Sequence, residues 1–123
     1  MLRRLLLPLA VGISLAVAAA GYAGTSTSKS TGLVGEVSPG YTIEVKKNGK
    51  DLKTIKAGTY RIKVEDKASI HNFHLKGPGV NKTTGVAFVG ERIWTVTLKP
   101  GKYTYWCDPH SSMMRGSFKV VAA

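Results

Sequence analysis

The chain has 123 residues, 18 Lys+Arg against 7 Asp+Glu, and one cysteine. That length allows one ordinary domain. A lone cysteine excludes the disulfide framework that staples many small exported domains. The excess of positive charge favours anionic partners, and lysines scattered along the chain instead of clustered argue against nucleic acid.

The first segment, residues 1–20, has the order of a secretory signal peptide. Arg3 and Arg4 form a short positive start, Leu5 to Ala20 is almost wholly apolar, and Ala18, Ala19 and Ala20 supply a small-residue cleavage site, with a second candidate after Ala23. The apolar run falls short of the roughly 20 residues that a spanning helix needs. The mature protein is therefore expected in the periplasm or secreted, without a membrane span. Losing Arg3 and Arg4 leaves it a net charge of about +9. Residues 24–32, small and polar with no apolar period, read as a flexible leader.

From Leu33 to Ala123 the chain reads as one all-β domain. Tyr41, Ile43 and Val45 alternate with polar neighbours, as do Tyr60, Ile62 and Val64, then Trp94, Val96 and Leu98, then Tyr103 and Tyr105, then Phe118 and Val120. Turn signals separate them at Ser38-Pro39-Gly40, Asn48-Gly49, Ala57-Gly58, Gly77-Pro78-Gly79 and Pro100-Gly101. Short strands punctuated this often predict an antiparallel sandwich or barrel.

The chemistry is concentrated in Tyr105-Trp106-Cys107-Asp108-Pro109-His110-Ser111-Ser112-Met113-Met114-Arg115-Gly116. A thiol, an imidazole and two thioethers share this loop. Thiolate and thioether are soft donors suited to copper, imidazole serves both copper oxidation states, and two His and a Cys with a weak axial Met form the blue-copper set. The second imidazole must come from Ser69-Ile70-His71-Asn72-Phe73-His74-Leu75. Strand parity puts His71 with Phe73 and Leu75 on the core face, and Asn72 and His74 on the other. It likewise places Cys107 on the face of Tyr103 and Tyr105.

These segments closely resemble the ligand loop and the His-Asn pair of the small cupredoxins: plastocyanin, amicyanin, azurin and pseudoazurin. Cys107-Asp108-Pro109-His110 has the spacing of the plastocyanin and amicyanin type. Three residues between His110 and Met114, followed by Arg115-Gly116, look more like azurin. The resemblance implies a Greek-key β-sandwich of about seven to eight strands, holding one copper ion through His71, Cys107, His110 and Met114. It implies that Asn72 ties its segment to the Cys107 loop, and that His110, Pro109 and Met113 border an electron port. The function implied is that of a monomeric, non-enzymatic carrier of single electrons between redox partner proteins, acidic ones by charge. A copper chaperone or storage protein of the same fold is the alternative. A Cys-His enzyme with Cys107 as nucleophile lacks any visible oxyanion-hole motif.

Overall fold

A computed structural model describes Gly21 and residues 32–123. The signal-peptide segment 1–20 and residues 24–31 of the leader lie outside the described residues. Among the described residues, no helix is long and apolar enough to cross a membrane.

The strands are β1 (Leu33–Val37), β2 (Ile43–Lys47), β3 (Lys50–Asp51), β4 (Thr54–Lys56), β5 (Gly58–Asp66), β6 (His74–Gly77), β7 (Val80–Thr83), β8 (Gly90–Leu98), β9 (Gly101–Trp106) and β10 (Arg115–Val121). They form two five-stranded sheets, β3-β2-β1-β5-β8 and β4-β10-β9-β6-β7. Strands thus exceed the seven to eight expected, because β3 and β4 are two and three residues long and too short to show a period.

The sheets are also mixed instead of purely antiparallel. β1 runs parallel to β5, pairing Leu33 with Ile62 and Val37 with Asp66, and β4 runs parallel to β10. A parallel pair needs a long crossover; residues 38–57 supply it for β1 and β5, passing through β2 and β3 in the first sheet and β4 in the second.

The inner faces bury the alternating apolar residues. Tyr103 stacks on Phe118 with centroids 5.4 Å apart, and Phe73 lies parallel to Tyr105 at 5.9 Å. The buried Tyr103 hydroxyl donates to the Pro78 carbonyl at 2.8 Å and accepts from Lys99 N–H at 2.9 Å, so its polar tip is satisfied. Asn48 and Gly49, at φ 52° and 76°, turn β2 into β3 with the left-handed pair that suits a tight hairpin.

Gly35 and Gly116 are among the glycines that allow close approach. A Cβ at Gly35 would sit 2.7 Å from the Phe73 ring, and one at Gly116 would overlap the Tyr105 hydroxyl. In the Arg115-Gly116 step, therefore, glycine lets Tyr105 lie across β10.

Candidate metal centre

At one end of the sandwich, the β1–β2, β5–β6 and β9–β10 connections meet. Cys107 directly follows β9, and its position continues the inward parity of Tyr103 and Tyr105; all three are buried. The chain then makes a single 3₁₀ turn, Asp108–His110, with Pro109 in its first turn and its fixed φ suited to that place. The loop closes on itself: Cys107 N–H donates to the Met114 carbonyl at 3.1 Å, and Met114 N–H to the His110 carbonyl at 2.8 Å.

This closure brings three donors together. His71, Cys107 and His110 each offer an atom within 4.8 Å of the others. The two Nδ1 atoms are 3.1 Å apart, and each lies 3.6 Å from Cys107 Sγ. One first-row ion can bridge such separations, with bonds of about 2.0 Å to nitrogen and 2.3 Å to sulfur in the well-characterised zinc sites. His71 and Cys107 are fully buried, and His110 is half-buried. His71 Nε2–H donates to the Gly40 carbonyl at 2.7 Å, which fixes the tautomer and leaves the Nδ1 lone pair aimed at the cluster. Met114 is fully buried, whereas Met113 is 64% exposed.

Asn72 joins the two ligand-bearing segments. Its Nδ2 donates to Asp108 Oδ2 at 2.7 Å and to Thr83 Oγ1 at 3.0 Å, while its Oδ1 accepts from Asp108 N–H at 2.7 Å. Parity predicts an outward Asn72, but the residue is buried. The reason is that residues 71–73 precede β6 and have no strand pleat. Asp108 also receives Trp106 Nε1–H at 2.7 Å and faces His74 Nδ1 at 3.0 Å. Burial pushes this carboxyl up, but its hydrogen bonds to Asn72, His74 and Trp106 outweigh that and hold it below the usual carboxylate range. His74 stacks on Trp106 at 4.2 Å and stands outside the trio.

Gly40, Tyr41 and Thr84 carry no signal of this kind in the sequence. The alternation puts Tyr41 in a strand, yet it lies in the β1–β2 loop, 57% exposed. There it meets the His71 and His110 rings edge-on at 5.5 and 5.1 Å. Thr84 receives Phe73 N–H on its hydroxyl at 2.8 Å and holds the segment just after His71.

Asp66 opens the same β5–β6 connection. It is 1% exposed, Oδ1 accepts from Ala68 N–H at 3.1 Å, and Oδ2 has no partner. Burial raises its pKa, against the opposing pull of the Ala68 N–H. Because the folded-state pKa lies above the unfolded value, Asp66 lowers stability as pH rises from the ordinary 3.8 through the raised value. The stability of Asp66→Asn relative to the parent should therefore increase between pH 3 and pH 7, as read by urea unfolding. A difference that is flat or falling over that range would refute the assignment.

Two imidazoles and a cysteine sulfur converging at one end of a two-sheet sandwich fit the donor set of a mononuclear copper protein. The family of copper binding proteins described as plastocyanin/azurin matches residues 36–121. The chain belongs to this family and is a cupredoxin. Among solved structures it is similar to reduced rusticyanin (27% identity, TM-score 0.56, 73% of this chain and 78% of that one). It also resembles rusticyanin from Thiobacillus ferrooxidans (24%, 0.51, 73% and 76%) and an oxidized amicyanin variant (16%, 0.50, 73% and 82%); these last two share the fold.

Proposed function

We propose that the protein is an exported carrier of single electrons, with one copper that would be held by His71, Cys107, His110 and Met114. The observation that carries this reading is the convergence of two Nδ1 atoms and one Sγ within 4.8 Å on a closed, hydrogen-bonded loop. Copper, when bound, supplies exchange of one electron between its two oxidation states.

The protein's own part is to keep the donors still. Gly40 orients the His71 ring, Asn72 ties the His71 segment to the Cys107 loop, and the Cys107–Met114 backbone bond pins the loop's two ends. With His71, Cys107, His110 and Met114 holding the copper, no open position would remain for a substrate, unlike a catalytic metal site, which supports a carrier over an enzyme. The half-buried His110, between exposed Pro109 and Met113, suits an electron port toward a docked redox partner. The signal-like residues 1–20 support export to the periplasm or beyond.

The test is voltammetry of the copper-loaded protein. A reversible wave with copper retained through repeated cycling is expected; loss of the metal on reduction would favour a chaperone or storage role. The two methionines should then separate. A weak axial donor tunes potential more than it holds metal, so Met114→Leu should keep copper and colour but raise the reduction potential. Met113→Leu should leave the potential nearly unchanged. If Met113→Leu moves the potential and Met114→Leu does not, the axial assignment belongs to Met113.

A further inference from the structure

Six of the seven carboxylates, Glu36, Glu44, Asp51, Glu65, Asp66 and Glu91, lie in the first sheet. Three lysines there are matched, Lys46 with Glu44 at 2.7 Å, Lys63 with Glu65 at 2.8 Å, and Lys67, just after β5, with Glu36 at 3.1 Å, while Lys47 and Lys50 face each other at the sheet's edge. The seventh carboxylate, Asp108, is engaged by Asn72, His74 and Trp106.

The second sheet is different. Its outward positions, fixed by register, carry Lys56 on β4, Arg115 and Lys119 on β10, Lys102 on β9 and Lys76 on β6, all exposed. No carboxylate lies among the strand residues of this sheet. Lys102 and Lys119 stand directly opposite each other in the antiparallel β9–β10 pair, a like-charge placement that destabilises a sheet unless an anionic surface covers it. The gaps are filled by Thr54, Thr104 and Ser117. At its upper end the face reaches Trp106 and Arg115, the chain neighbours of Cys107 and Met114.

We infer that this outer face of the second sheet is a docking surface for an acidic protein. The large exposed apolar residues among those described, Tyr41, Ile70, Val86, Val89, Ile93 and Met113, all lie elsewhere. Apart from the half-buried Trp106, which stacks on His74, the face therefore offers nothing to insert into a bilayer. Its hydroxyls and spaced cations fit a polar, carboxylate-bearing protein surface, and they would steer that partner toward the sheet that ends at the metal loop. The inference rests on the carrier reading for the partner's redox role, but binding itself is independent of electron transfer.

The test is titration of the mature protein with a poly-glutamate peptide, with amide shifts followed by NMR. The shifts should map to β6, β9 and β10 and leave β2, β5 and β8 unmoved. Lys102→Glu/Lys119→Glu should weaken binding by about tenfold or more, and Lys50→Glu/Arg61→Glu, the same charge change on the first sheet, by less than about twofold. The neutral pair Lys102→Gln/Lys119→Gln should fall between the parent and the glutamate pair. Equal weakening by the two glutamate pairs would mean that bulk charge alone binds, and would overturn the face. Tighter binding to phosphatidylglycerol-containing vesicles than to the peptide, lost in the Lys102/Lys119 variants, would assign the face to a membrane and also overturn it. The titration works on copper-free protein, so a failed electron-transfer assay and a failed docking face are separate results.

Discussion

Cys107→Ala should abolish the intense visible band of the copper-loaded protein and remove most of the stabilisation that copper confers. The thiolate is the one anionic donor in the trio, and its sulfur lies 3.6 Å from both imidazole Nδ1 atoms. Copper binding to the folded state adds about 4 kcal/mol when free metal is a thousand times its dissociation constant. Removing the thiolate should lose most of that gain. In the copper-free protein the same change deletes one small buried group and should cost only about 1 kcal/mol. The contrast between the loaded and unloaded unfolding curves separates ligation from packing. An intense blue band surviving in Cys107→Ala would exclude Cys107 as a ligand.

Asn72→Ala should damage both stability and metal affinity. The side chain is 2% exposed and bonds both the carboxylate and the backbone N–H of Asp108. Its loss leaves the Asp108 N–H without its partner and removes one hydrogen bond each from the Asp108 carboxylate and Thr83, a cost of about 2–3 kcal/mol. The His71 segment and the Cys107 loop would then be free to drift apart, and copper affinity should fall about tenfold to a hundredfold, as for other residues that orient ligands. Urea unfolding of the copper-free protein and a competitive copper titration read the two effects separately. Copper affinity equal to the parent's would mean that the donors are held without this tether.

The sequence made the long half-buried strands legible, because their apolar side chains face one inner surface. β5, β8, β9 and β10 all begin or end near the alternations at Tyr60, Trp94, Tyr103 and Phe118. β1 was obscured at Gly35, an inward position whose space the Phe73 ring fills. β7 has a single buried residue, Val80, so it offers no pattern. The parallel pairings of β1 with β5 and β4 with β10 join strands distant in the chain, and no local period encodes them.

The metal trio was legible because soft and imidazole donors carry their chemistry in the side chain. The groups that orient them were less so. Gly40 acts through a backbone carbonyl, which any residue possesses. Tyr41 follows a strand-like alternation and yet lies against two imidazoles in a loop. Asn72 makes the tie to the Cys107 loop that the resemblance implies, but strand parity misplaces its side chain outward because residues 71–73 have no pleat.

The most direct measurement is a visible spectrum of the mature protein titrated with Cu(II). One equivalent should produce an intense thiolate-to-copper band that saturates at a 1:1 ratio and bleaches on reduction. Copper bound at that ratio without such a band would contradict a blue-copper centre built on Cys107.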